Sequence, residues 1–280
     1  MTNATNIEIV SHLDRGISYG ESCFETVRVI KGAIFAWPAH WQRFKRGGNA
    51  FGIDLAEPLD DQLNRAILEA ASQFQGAESG DDCMVRITLT GGIAMRGLLP
   101  TPASTPHIFI QCAAYVAQPP AQLTVAEFPF ALQAREAKFS SDYALTLRAY
   151  QQWKVAQQWH DPVEILIHHH GRILSTMSAN ILLFYKAPTQ TVHEGRWHTP
   201  TREGGGVLKG IVRDFFLAQA MVTESLCELP MLSAIEAAVL CNSGCFVRPV
   251  AAIGGHTFDP EHPAIEPLKQ RLACEIGSPF

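Results

Sequence analysis

Apolar and polar positions alternate from Phe24 to Ile30 in "FETVRVI", the period of a strand with two distinct faces. Lys31-Gly32 supplies a tight turn into "AIFAW", so this stretch predicts a hairpin. From Pro38 the pattern changes to helical spacing through "AHWQRFKRGGNAFGI", with an expected break at Gly47-Gly48. "LDDQLNRAILEAASQF" repeats apolar residues at helical intervals and predicts a second helix. "CMVRITLTGG" and "HIFIQCAAYV" predict strands. "AQPPAQ", with Pro119-Pro120, reads as a linker.

Beyond it come a strand ("LTVAEFPF"), a segment around Lys138, and a helix through "YALTLRAYQQWKVAQQW". A hairpin ("VEILIHHHGRIL"), a strand ("ANILLFY") and a glycine-rich loop ("REGGGVLKG") follow, then the helix "IVRDFFLAQAM". Strands at "AAVLCNS" and "VRPVAAI" and a helix near "AIEPLKQRLACE" close the chain. Two sets of strands and helices about a proline linker predict two α/β or α+β domains.

Composition narrows the function classes. The chain has 280 residues, 47% hydrophobic and 18% charged, as in an ordinary globular protein. A net charge of −5 argues against a nucleic-acid partner. No apolar run approaches the length of a membrane span, and "MTNATNIEIV" lacks the regions of a signal peptide. Seven cysteines without a CxxC pair fit reduced thiols in a cytoplasm. The expectation is a cytoplasmic enzyme with a small-molecule substrate.

The histidines 168, 169 and 170 invite a metal reading. Neighbouring strand side chains point to opposite faces, so the three cannot all reach one ion. No HExxH or Cys/His pair accompanies them, and they read as a solvated hairpin tip. No metal is expected. The glycine-rich loop opening a helix presents unpaired N–H groups and suits a phosphate, though it lacks the P-loop order GxxxxGK[ST]. A lysine together with a phosphate cradle is what pyridoxal-phosphate chemistry requires, an amine for a Schiff base and an anchor for the anion.

"DRGISYGESCFETVRV" followed by "HWQR" resembles the opening of the fold-type IV pyridoxal-phosphate enzymes. These include branched-chain and D-amino-acid aminotransferases and 4-amino-4-deoxychorismate lyase. The similarity continues in order through "RITLTGGIAMRG", Lys138, "ILSTMSANIL", "HTP", "GGGVLKGIVR" and "VLCNSGCFVRPV", from about residue 12 to 253. The resemblance implies an α+β fold like that of D-amino-acid aminotransferase. A small N-terminal α/β domain (1–118), a linker (119–122) and a larger pseudo-barrel domain (123–280) would hold pyridoxal 5'-phosphate between them in a homodimer. Lys138 would form the Schiff base and Arg43 would bind the phosphate. Gly210, Ile211 and Val212 would offer backbone amides, with valine at 212 where the family often has threonine. Cys241 stands where a phosphate-contacting threonine is common, followed by Asn242; a thiol is a weak donor, so a contact there would use backbone N–H.

Ser175 stands where the family usually carries the glutamate that pairs with the pyridine nitrogen. A hydroxyl brings no charge to keep that nitrogen protonated, so the ring is a weaker electron sink. This disfavours transamination and is compatible with elimination, and it is also what loss of activity would look like. "SCFETVRVIKG" and Arg96-Gly97 are more similar to the lyase branch. The favoured expectation is a lyase of folate biosynthesis that releases pyruvate from 4-amino-4-deoxychorismate to give 4-aminobenzoate. A branched-chain or D-amino-acid aminotransferase and a non-catalytic homologue are the alternatives. Arg28 and Arg96 are candidates for the substrate carboxylates, or else an exposed strand residue and a loop charge.

Overall fold

The computed structural model describes residues 11–77, 82–99, 105–161, 163–185 and 195–277. The fold is α+β and is built on two sheets. A short helix, α1 (Arg15–Tyr19), is capped by Asp14, whose carboxylate accepts from the Gly16 amide at 2.8 Å. Then β1 (Ser22–Ile30) turns through Lys31 and Gly32, both at positive φ, into β2 (Ala33–Ile34). Two helices follow, α2 (Trp37–Ala50) and α3 (Pro58–Ala77). With β3 (Asp82–Ile93) and β4 (Thr105–Ala114), the first two strands form an antiparallel sheet in the order β2-β1-β3-β4. Trp41, Phe44, Leu63 and Ile67 of the helices pack with Val27, Val85 and Ile87 of the strands to make its core.

One expectation fails here. Helix α2 runs unbroken through Gly47-Gly48. A Cβ on Gly47 would lie 2.8 Å from the Cys23 side chain, and one on Gly48 would lie 2.9 Å from the Ile53 carbonyl. Gly47 therefore serves close packing of α2 on β1, and Gly48 close packing on the segment after α2 and on Leu89 of the sheet, and neither makes a break. The helical penalty of two glycines is offset by burial of the neighbouring Trp41 and Phe44.

The second sheet uses β5 (Ala121–Glu127), β6 (Glu164–His169), β7 (Arg172–Thr176), β8 (Asn180–Tyr185), β9 (Arg196–Pro200), β10 (Val222–Ser225), β11 (Ile235–Cys241), β12 (Arg248–Ile253) and β13 (His256–Thr257). Its order is β10-β9-β8-β11-β12-β5-β6-β7, with β13 on β12. Strands β9 and β10 were not foreseen; at five and four residues they are too short to display a period. Helices α4 (Ser140–Ala156), α5 (Ile211–Ala218) and α6 (Ile265–Ile276) complete the fold. Strands of the first sheet lie within 22–114 and those of the second within 121–257, so the chain crosses between them at 115–120.

At the β6–β7 turn, His170 and Gly171 have φ of 50° and 81°. His170 thus leaves the strand alternation that was expected to separate the three histidine side chains.

Candidate active site

Lys138 lies in the second half of the sequence yet is stitched to the first sheet. The Phe24 amide donates to its carbonyl at 2.9 Å, and Phe139 bridges to Cys23. This fixes the backbone of Lys138 just ahead of α4, with its ammonium 5.5 Å from the centre of the Phe24 ring. Burial of the amine among protein atoms, then the nearby Arg43 charge, pull its pKa down to about 8; Glu25 opposes this, and Arg135 and Arg86 add to it. A lysine so placed is neutral over more of the working pH range than one in water, which is what nucleophilic attack on a carbonyl needs.

Arg43, on α2, is buried and held by Glu25 of β1. Its Nε and Nη2 donate to the two carboxylate oxygens at 2.7 Å each, and Nη1 donates to the Lys209 carbonyl at 2.9 Å. A guanidinium has five N–H groups, so two remain on the side where Arg43 lines a cleft. His40 Nδ1 is 2.7 Å from Glu25 Oε2, and its Nε2 is 3.2 Å from Ser243 Oγ. Burial alone would raise the Glu25 pKa, but the charge and hydrogen bonds of Arg43 and His40 hold it far below the usual carboxylate range. Burial lowers the pKa of His40, against the raising effect of its hydrogen bond to Glu25.

The cleft is lined by Arg43, Arg135, Lys138, Tyr143, Ser175, Asn180, Gly210, Ile211, Asn242 and Ser243, among others. Its floor is made by three chain reversals. Thr176 closes the β7–β8 turn with a bond from its amide to the Ala179 carbonyl at 2.9 Å. Asn242 accepts from the amides of Gly244 and Cys245 at 2.8 Å each, and donates to the Ser178 carbonyl at 3.2 Å. Asn180 donates to the Leu208 carbonyl at 3.1 Å, which aims the N-terminus of α5 at the cleft. A Cβ on Gly210 would sit 1.9 Å from Asn180 Oδ1, so no side chain fits there. The first amides of α5 have no partner within the helix and carry its positive end.

Six of the expected residues therefore line one space: Lys138, Arg43, Ser175, Gly210, Ile211 and Asn242. The other four are not among its lining residues. The side chains of Val212 and Cys241 are buried in the hydrophobic core, where burial pushes the Cys241 thiol up. This bears on neither of the backbone amides expected to serve there; the Ser243 hydroxyl lines the cleft. Arg28 is ion-paired with Asp82, stacks 3.5 Å over the Tyr115 ring and does not line the cleft. Arg96 is exposed on the loop after β3. Conversely Glu25, His40, Arg135 and Asn180 were not singled out. A carboxylate in a strand buried at both faces, with His40 and Arg43 three residues apart on a helix, was the available signal for the first two.

Ser175 is buried, and its Oγ–H donates to the Thr176 carbonyl at 2.9 Å. Its proton is thereby engaged, which leaves the oxygen lone pairs for the cleft. Among the described residues no aspartate or glutamate lines this cleft; Asp142 lines the adjoining cavity that also includes Ser175 and Arg135. Glu164 pairs instead with Arg248 at 2.7 Å and lines other cavities.

A family model, Amino-transferase class IV, matches residues 22–253. The chain belongs to this family. Membership implies pyridoxal phosphate as the cofactor, and the cleft suits that group: a low-pKa amine, a guanidinium with spare donors, and a helix N-terminus that only glycine can open. The fold is similar to that of 4-amino-4-deoxychorismate lyase from Pseudomonas aeruginosa, with a TM-score of 0.74 at 21% identity over 95% of this chain and 94% of that one. It is equally similar to a hypothetical aminotransferase from Mycobacterium tuberculosis in its PLP-bound form, TM-score 0.74 at 15% identity over 99% and 95%. By sequence, D-alanine aminotransferase of Staphylococcus aureus (strain N315) is 31% identical over 109 residues, which is 38% of this chain and 36% of that relative. The match thus spans about a third of the curated relative.

The depressed amine is directly testable. Reductive modification of the cofactor-free protein by pyridoxal phosphate and borohydride should show a component with a midpoint near pH 8, against 10.5 for an ordinary lysine. Lys138→Ala should remove that component. Persistence of the component in the variant, or its transfer to Lys154 or Lys209, would show that another amine is the reactive one.

Proposed function

We propose that this protein is a pyridoxal-phosphate-dependent lyase that converts 4-amino-4-deoxychorismate to 4-aminobenzoate and pyruvate. The observation that carries the reading is the hydroxyl of Ser175 in a cleft without a lining carboxylate. In this reading Arg43, the first amides of α5 and Ser243 hold the phosphate, and Ser175 faces the ring. The cofactor supplies a carbonyl carbon for the substrate amine and a ring that draws electrons from it. Lys138, with its amine free, would take the proton from the amine-bearing ring carbon. The electron pair moves into the substrate ring, the C–O bond to the enolpyruvyl group breaks, and the proton on Lys138 returns to the leaving enolate to give pyruvate. Aromatisation drains charge as it forms, so no carboxylate is needed to stabilise it. Arg135 lines the cleft, and its buried Nε has no hydrogen-bond partner, with Asp142 3.9 Å away. It takes over from Arg28 as the cation for a substrate carboxylate.

A second reading, an aminotransferase, is favoured by the partial match to D-alanine aminotransferase. The two separate in one assay. With 4-amino-4-deoxychorismate the holoenzyme should release pyruvate and 4-aminobenzoate in equal amounts, whereas D-alanine or a branched-chain amino acid should leave the cofactor spectrum unchanged. Conversion of the cofactor to its pyridoxamine form by an amino acid would favour the aminotransferase. Silence in both, with the cofactor bound, would mark a non-catalytic homologue.

Ser175→Glu should place a charge beside the ring nitrogen. Each unit by which the ring nitrogen's pKa rises corresponds to about 1.4 kcal/mol between its two protonation states. The protonated-ring absorbance should grow, and transamination should rise relative to elimination. An unchanged spectrum and product ratio would place Ser175 away from the ring.

The proposal includes a homodimer. Ile17 of α1 and Met95, Leu98 and Leu99 of the loop after β3 are exposed, and Arg15 fixes that loop through the carbonyls of Gly97 and Leu98 at 3.0 and 2.9 Å. An ordered apolar patch of this kind suits an interface. Sedimentation should give a dimer at micromolar concentration, and Leu98→Asp/Leu99→Asp should weaken it. A wild-type monomer with cofactor bound would exclude this assembly.

A further inference from the structure

The histidines at the β6–β7 turn lie outside the cleft and have no part in the chemistry above. We propose that Glu127, His169 and His170 form a binding site for a divalent transition-metal ion of the zinc class. Their ligand atoms all lie within 4.8 Å of one another, the feature that alternation along a strand would forbid. The positive φ of His170 accounts for it: the ring swings back to the side of His169, and the two ring centres are 4.2 Å apart. Glu127 reaches the same point from the end of β5, which runs parallel to β6 with Glu127 opposite His168.

Each ligand is already oriented. The Phe128 carbonyl lies 3.2 Å from His169 Nδ1. A carbonyl can only accept, so Nδ1 carries the proton and Nε2 keeps its lone pair for an ion. This is the outer partner that metal-binding histidines use to fix their tautomer. The His170 amide donates to Glu127 Oε1 at 3.2 Å and holds the carboxylate beside the turn. His170 Nδ1 is 3.3 Å from the same oxygen. Two ligand atoms on a tetrahedral ion, each bound at about 2.1 Å, are roughly 3.4 Å apart. That pair therefore stands near ligand spacing, and with His169 held by Phe128 the remaining gap, at most 4.8 Å, is closed by adjustment of the exposed Glu127 and His170. His168 is excluded, because its Nδ1 accepts from the Gly171 amide at 3.3 Å within the turn.

Two imidazoles and one carboxylate select zinc, nickel or copper over magnesium or calcium, which prefer oxygen. Three protein ligands leave a coordination position for water. A bound ion would tie the end of β5 to the turn from which β7 runs to Ser175.

The test is zinc titration by calorimetry on the full chain stripped with chelator. Cys274, an exposed thiol, is replaced by serine throughout. One zinc should bind per chain, with a rise in melting temperature, and magnesium should give no heat. His169→Ala and His170→Ala should each weaken binding by about tenfold or more. His256→Ala, on β13 and remote from the cluster, should leave it unchanged and serves as the control. Absence of saturable zinc uptake, equal uptake of magnesium, or unaltered zinc binding in the His169→Ala/His170→Ala double variant would each overturn the site.

Discussion

The buried carboxylate of Glu25 is the constraint on which the site depends. It is a charge inside a strand whose neighbours are apolar, and it persists there because Arg43 meets it in a two-point contact and His40 covers the second oxygen. Removing one partner from such a group costs about 3–5 kcal/mol, since the other charge is left without compensation. The chain of contacts continues from His40 to Ser243 and from Arg43 to the Lys209 carbonyl. Strand β1, helix α2, the loop before α5 and the turn after β11 are thereby referenced to one carboxylate. Glu25 also fixes the plane in which Arg43 lines the cleft.

The same arrangement sets the electrostatics at Lys138. Arg43, Arg135 and Arg86 all act on the lysine, and Glu25, the carboxylate that opposes them, stands behind Arg43. A cleft lined by cations and hydroxyls suits a substrate and cofactor that are both anionic, and it leaves the amine uncharged over more of the neutral range. Under the proposed reading, a hydroxyl in place of a carboxylate at position 175 suits a reaction that discharges a carbanion over one that must store it. The fold is shared with both a lyase and an aminotransferase, each below 25% identity, so the proposed choice between them rests on the side chains in the cleft.

Much of this was legible in the residues. The alternation of Phe24–Ile30, the periodicity of α3 and the turn at Lys31-Gly32 reflect local preferences that the tertiary structure obeys. Gly47-Gly48 did not follow local preference, because a close helix–strand contact outweighed helix propensity. Lys138, Arg43 and the Gly210 loop could be found by order along the chain. Arg28 could not be judged that way: its partner Asp82 is 54 positions distant, and only the β1–β3 register brings them together. Nor could Cys241 be told from Ser243, two residues on, since which one faces the cleft depends on the turn that Asn242 closes. The histidine triplet shows the same limit: His168 stays apart from the other two, but the positive φ that brings His170 beside His169 is not visible in strand period.

The hydrogen bond from the Phe24 amide to the Lys138 carbonyl has a mechanical meaning. It anchors the amine to the first sheet, whereas Ser175, Asn180 and the start of α5 are borne by the second sheet and its helix. The amine and the start of α5 thus belong to different sheets, and the Lys209 amide, donating to the Arg135 carbonyl at 3.1 Å, ties the two segments together. The alignment of the amine is therefore set by bonds that join the two halves and not within the cleft itself.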